Sequence, residues 1–214
     1  MNVIRTMTFN IRYDNLKDGN NSWKYRREMV ASMIRFHHAD VAGLQEVLKN
    51  QLDDLEKLLP NYAWVGVGRD DGIDKGEFTP IFYLKERFEL LSSGTFWLSE
   101  TPDKPGSRGW DAACKRIATW AELRDRVFEL RFYHFNTHFD HIGFTARRKS
   151  AHLLLRKTHE ICSNFPTIVT VDLNCNERSE TYKILTGHGN KDLEYRSLRD
   201  AQLESIYDHH GPTI

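Results

Sequence analysis

The sequence predicts an α/β protein in which two sheets pack face to face with helices outside. Strand-like runs rich in β-branched and aromatic residues alternate with amphipathic helical patterns, which is the signature of a layered arrangement. Several of the apolar strands end abruptly in polar groups. The 214 residues, 40% of them hydrophobic and 28% charged, suffice for one sizeable packed domain rather than two, and argue against disorder.

The elements follow in order. Val3 to Ile11 is the first strand candidate, and 15–22 is a polar loop rich in Asn and Gly. Trp23 to Phe36 has helical periodicity, with Ser22 as candidate N-cap and Met29, Met33 and Phe36 sharing an inward face with Trp23 or the Arg26 stem. Val41 to Gln45 is a short apolar strand. Lys49 to Leu59 is a second amphipathic helix, with Leu52, Leu55, Leu58 and Leu59 on its buried side and Pro60 ending it. Extended segments follow at Tyr62 to Val67, Thr79 to Tyr83, Phe88 to Phe96, Ile117 to Arg124 and Arg126 to Thr137, with a Pro/Gly loop over 101–109. Arg147 to Asn164 reads as a helix with Leu153, Leu154 and Ile161 inward. Thr167 to Val171 is a buried strand, and Glu180 to Leu185 begins another helix.

Composition removes several classes. Lys+Arg and Asp+Glu are both 30, so the chain lacks the basic excess of a generic nucleic-acid coat, although a local basic groove is allowed. Cys114, Cys162 and Cys175 are odd in number and widely spaced, which fits thiols in a reducing compartment rather than a disulfide framework. The N-terminus moves directly into strand-like sequence without a basic segment and apolar run. No apolar run approaches the ~20 residues of a membrane span. The expectation is a cytoplasmic chain with no obligate protein partner.

Four segments share one pattern: an apolar strand ends and groups able to hold metal or phosphate follow. They are residues 7–11, 43–46, 135–141 and 169–174. Glu46 can face a cleft and hold a hard divalent cation, or can complement a helix dipole. Asp172 and Asn174 are one residue apart, so on a strand their side chains share a face. An Asp there can orient or deprotonate water, and an Asn can bond a phosphoryl oxygen without adding charge. They can also form an Asx turn. His138 can donate to charge developing on phosphorus. The spacing of His134, His138 and His141 tempts a zinc reading, but this segment is strand-like and helical spacing does not apply. Asn10 can be a turn residue. Arg116 can clamp a phosphate or join an ion pair. Tyr83 can donate its hydroxyl to phosphate or fill the core. Trp97, Trp110 and Trp120 can line a substrate wall or anchor the core.

Taken in order, Thr-Phe-Asn-Ile with Asn10, Leu-Gln-Glu with Glu46, Phe-Trp-Leu-Ser-Glu-Thr-Pro (96–102), Gly-Trp-Asp-Ala-Ala (109–113), Arg-Ile-Ala-Thr-Trp-Ala (116–121), Asn-Thr-His-Phe-Asp-His (136–141) and Val-Asp-Leu-Asn (171–174) resemble the endonuclease/exonuclease/phosphatase superfamily, in its bacterial metal-dependent branch. The resemblance runs from residue 3 to about 213. It implies a four-layered α/β sandwich of two packed sheets with outer helices. It implies Mg²⁺ (Mn²⁺ possible) with Glu46 as direct ligand and Asn10 on the metal side. Asp172 and Asn174 match the pair that orients the attacking water and the phosphoryl oxygen, and His138 matches the histidine after the central strand. Tyr83 and Arg116 are carried over as phosphate contacts. The implied reaction is in-line attack of water on phosphorus.

The sequence departs from this pattern twice. Val171 stands where the family has Gly before the Asp. The family's final strands, ending in Ser-Asp-His, have no counterpart, and 209–214 does not replace them. The expectation is therefore one domain over 1–214 with its final strands missing. The expected activity is a metal-dependent phosphomonoester or phosphodiester hydrolysis, impaired in this chain; the competing expectation is a catalytically inactive phosphate- and metal-binding module. The expected partners are a phosphorylated small molecule, a lipid headgroup or a nucleic acid.

Overall fold

The computed structural model describes residues 3–188 and 195–204. Strands β1 (Thr6–Asn10), β2 (Val41–Gln45), β3 (Tyr62–Val65) and β4 (Ile81–Leu84) form one sheet in the order β1-β2-β4-β3. Strands β5 (Phe88–Trp97), β6 (Ile117–Asp125), β7 (Leu130–His138) and β8 (Thr167–Asp172) form a second sheet in that order. The pairs β1/β2 and β7/β8 are parallel; the others are antiparallel. Helices α1 (Trp23–Phe36) and α2 (Lys49–Leu58) cover the first sheet, and α3 (Phe144–Cys162) and α4 (Glu180–Thr186) cover the second. The result is the expected layered sandwich of two sheets between helices. Among the described residues, β1 and β8 each pair on one side only.

The period of two along each strand sorts side chains between layers. On β2, Ala42 and Leu44 pack toward α1 and α2, whereas Val41 joins the inter-sheet core with Ile81, Tyr83, Phe88, Leu123 and Phe132. On β7, Tyr133 and Phe135 join the core beneath α3 and α4. The inter-sheet space changes along its length. It is apolar around Val41, Tyr83 and Phe132, becomes polar at Gly43, Gln45, Asn136 and Thr170, and reaches Asn10, His138 and Asp172 at the strand ends.

Several boundaries differ from expectation for local reasons. Helix α1 buries Trp23, Val30, Ala31 and Ile34; Met29 and Phe36, expected inward, are 61% and 74% exposed, and Met33 also faces outward. Trp23, Val30, Ala31 and Ile34 pack in the core with Ala42 and Leu44 of β2, which leaves the Met/Phe stripe outward. Ser22 precedes α1 but makes no side-chain capping bond. β7 begins at Leu130 rather than at 126, because the Asp125 carboxylate accepts from the backbone N–H groups of Val127 and Phe128 and closes a turn. α3 begins three residues early. The Asp111 carboxylate, from a distant loop, accepts from Thr145 and Ala146 N–H, capping a helix whose own Gly143 cannot do so.

Candidate active site

Four segment ends meet at the polar end of the sandwich. The β1 and β2 ends supply Asn10 and Glu46; the β7 and β8 ends supply His138 and Asp172. The amide Nδ2 of Asn10 donates to Glu46 Oε1 at 3.0 Å and to Asp172 Oδ2 at 2.9 Å. Its Oδ1 accepts from Arg12 N–H, which fixes the amide's orientation. Glu46 Oε2 accepts from Tyr13 N–H. Two carboxylates from different sheets are thus held together by one neutral amide. Among the described residues neither has a Lys or Arg ion pair, so the oxygen donor set suits a hard divalent cation. Glu46 and Asn174 both have positive φ, 61° and 49°, in the left-handed region that non-glycine residues seldom adopt. Such backbone costs of order 1–3 kcal/mol and persists where surrounding contacts over-determine it.

His138 is buried, with Nε2 3.7 Å from Asp172 Oδ2 and 2.7 Å from Asn174 Nδ2. Asn174 Nδ2 also donates to the Phe139 carbonyl, and its N–H donates to Asp172 Oδ1. With the amide NH₂ facing it, Nε2 is the acceptor and Nδ1 carries the proton; Nδ1 is buried without a hydrogen-bond partner. Burial, reinforced by the nearby Arg116 charge and only partly opposed by Asp172, lowers the His138 pKa to about 4. The ring is therefore neutral at physiological pH.

His138 also lines a small cavity with Arg69, Glu77, Thr79, Arg116 and Ile117. Arg116 is buried. Its guanidinium lies 3.9 Å from Glu77, 3.7 Å from Asp140 and 3.2 Å from His141 Nδ1, and Arg69 pairs with Glu77 at 2.6 Å. Burial raises the Glu77 pKa despite these two arginines. Arg69, Glu77 and Asp140 were assigned no role from the sequence. Their signal was the charge-rich loop after β3 and the acid following His138, neither of which has a periodic pattern.

Cys114, Asp140 and His141 place ligand-type atoms within 4.8 Å of one another. The Asp140 carboxylate already accepts N–H bonds from Cys114, Ile142 and Gly143. Burial works against its charge, but these bonds prevail and lower its pKa to about 2. Arg116 lies against the same His141 nitrogen. The trio anchors the loop around Arg116, and its free valences do not suit a metal. The zinc-tempting histidines do not converge either: His134 is fully buried and bonded to Thr170.

Tyr83, expected to contact phosphate, is not brought to the site. It pairs in register with Val41 at the apolar end of the inter-sheet core, and burial raises its pKa. Trp97 is buried and donates from Nε1 to the Arg69 carbonyl, while Trp120 packs over Gly94, so both anchor the fold. A larger open groove at the far end of the first sheet is lined by Arg5, Arg35, His38, Asp40, Asn61, Tyr62 and Leu84. Its one acid is tied to Arg87 and to Arg5 N–H, so it offers no comparable chemistry. No helix among the described residues is long and apolar enough to cross a membrane. Residues 209–214 lie outside the described residues.

Residues 7–213 match the model of the endonuclease/exonuclease/phosphatase family. A protein of that family from Bacteroides vulgatus is 49% identical with a TM-score of 0.85, over 87% of this chain and 71% of that one. The mannosyl-6-phosphatase of Bacteroides thetaiotaomicron is 39% identical with a TM-score of 0.84, over the same shares. An uncharacterized protein of Acanthamoeba polyphaga mimivirus is 31% identical over 164 residues, 73% of this chain and 60% of that protein. The chain thus spans less than two thirds of this curated relative. The match over residues 7–213 and the two-sheet sandwich agree: the chain belongs to the endonuclease/exonuclease/phosphatase family.

Proposed function

We propose that the protein is a metal-dependent phosphoesterase acting on a phosphorylated small molecule. The carrying observation is the single Asn10 amide that holds Glu46 and Asp172 within reach of one another, with His138 and Asn174 against the same aspartate. In this reading Glu46 holds the cation, with Asn10 bridging its carboxylate to Asp172. A bound divalent cation, Mg²⁺ or Mn²⁺, supplies charge stabilisation at the phosphoryl oxygens. Asp172 orients the attacking water and takes its proton. Asn174 donates from its amide to a phosphoryl oxygen after its contact with His138 opens; the neutral His138, whose Nε2 accepts from that amide, positions it. Arg116 is too enclosed for direct phosphate contact in this arrangement, so it acts by holding His138 neutral. Tyr83 has no role.

The likeness to a mannosyl-6-phosphatase at 39% identity supports a sugar phosphate over a nucleic acid or lipid headgroup, as does the absence of net charge. The second reading is a module that binds metal and phosphate without turnover; His138 and Asn174 are bonded to each other, which leaves neither amide nor ring free for phosphate in this arrangement. Hydrolysis of mannose 6-phosphate and of a bis(nitrophenyl) phosphate with and without Mn²⁺ tests both. Metal-dependent release of phosphate, lost by about a hundredfold or more in Glu46→Gln, is expected, since even outer partners of a metal site are worth about 10–100-fold. Mn²⁺ binding without turnover selects the module. Turnover unaffected by chelation overturns the proposal.

A further inference from the structure

Between the apolar core and the site lies a polar layer that no assigned role uses. Asn136 is completely buried and satisfies every hydrogen-bonding position of its amide. Its Nδ2 donates across the sheet interface to the carbonyls of Leu44 at 2.7 Å and Pro80 at 2.9 Å. Its Oδ1 accepts from Gln45 Nε2 at 2.7 Å and Thr170 Oγ1 at 3.1 Å. Gly43 makes the close approach possible: a Cβ there would lie 2.0 Å from Thr170 Oγ1 and 2.6 Å from Asn136 Oδ1.

The residues in this cross-link stand in fixed relation to the site. Glu46 follows Leu44 by two residues, His138 follows Asn136 by two, and Asp172 follows Thr170 by two. Asn136 and Thr170 are register partners, as are His138 and Asp172. A strand repeats its facing every two residues, so the cross-link and the site residues of β7 and β8 share a face. Apolar burial is non-directional and does not by itself fix one relative position of the two sheets. Four directional hydrogen bonds on one amide do not permit that.

We propose that Asn136, with Thr170, is a positioning residue that sets the separation of Glu46 on one sheet from His138 and Asp172 on the other. It touches neither metal nor substrate. The inference rests on the metal-dependent reading above, and the test separates the two. Mn²⁺ affinity of the full chain is measured by calorimetry for Asn136→Ser, Thr170→Val, Thr170→Ser, Leu154→Ala and Glu46→Gln, each at a temperature where circular dichroism shows it folded. Leu154 lies in the core beneath α3, so Leu154→Ala reports loss of stability alone. The expected result is about tenfold weaker Mn²⁺ binding in Asn136→Ser and Thr170→Val, the scale of outer-partner changes at metal sites, with Thr170→Ser and Leu154→Ala close to the parent. If Asn136→Ser does not fold, the Thr170 pair decides. Affinity unchanged in Thr170→Val while Glu46→Gln abolishes binding overturns the positioning role and leaves the metal site standing. Equal losses in Leu154→Ala reduce the role to general stability and overturn it too. Binding unchanged in Glu46→Gln removes the metal reading itself, and the inference with it.

Discussion

Adding one methyl group at Gly43 tests whether the sheets are locked by a polar contact or merely stacked. The added carbon would lie 2.0 Å from Thr170 Oγ1, 2.6 Å from Asn136 Oδ1 and 2.7 Å from Asn136 Cγ. Each is far inside the 3.4–4 Å of ordinary van der Waals contact. Asn136 cannot retreat without releasing its bonds to Leu44 O and Pro80 O, and Thr170 cannot retreat without leaving Asn136 Oδ1 and His134 Nε2. Overpacking a dense core costs about 1–3 kcal/mol. Leaving one buried polar group unsatisfied adds about 1–3 kcal/mol. We therefore expect Gly43→Ala to lose about 2–6 kcal/mol. For a domain of this size each kcal/mol shifts Tm by about 2–4 °C, so a fall of about 4–24 °C follows. Thermal unfolding followed by circular dichroism measures it. A shift below about 2 °C, under 1 kcal/mol on the same scale, would refute the close-packed polar layer.

Three further outcomes follow from other parts of the structure. His134 is buried, and that burial lowers its pKa to about 3 from 6.5. The unfolded chain then binds the proton more readily, so the stability contributed by neutral His134 is complete above about pH 6.5 and is lost as pH falls toward 3, by a few kcal/mol in total; His134→Gln should flatten that acid limb in urea titrations, and an unchanged slope would contradict it. Asp140→Asn turns an acceptor into a donor facing the N–H groups of Cys114, Ile142 or Gly143 and should cost about 2–4 kcal/mol, read as a lower urea midpoint with unchanged m. On α1, Phe36→Gln should change stability by no more than about 0.5 kcal/mol, whereas Ile34→Ala should cost about 2–4 kcal/mol; the reverse order in the same urea titrations would restore the inward Met/Phe face.

Much of the fold and of the candidate site is legible in the amino-acid order. Strands ending in Asn10, Glu46, His138 and Asp172, and the order of their motifs, were legible because a strand's facing repeats every two residues and apolar runs stop where the chain meets solvent. Helices α1, α2 and α4 were legible from periodicity. The tertiary structure alone decided where interactions come from far along the chain. The inward face of α1 depended on which side chains meet the core of the first sheet. The start of α3 depended on Asp111, more than thirty residues upstream of the N–H groups it caps. Tyr83 read equally well as a phosphate contact or a core residue, and only the antiparallel register of β4 with β2 sent it to the end away from Glu46. The strand-end acids and amides follow the same division. Local pattern put each at its strand end; only the folded sandwich brought Asn10 within hydrogen-bond distance of an aspartate 162 residues away. That contact is non-local, and a one-dimensional pattern carries no information about which strand ends will meet.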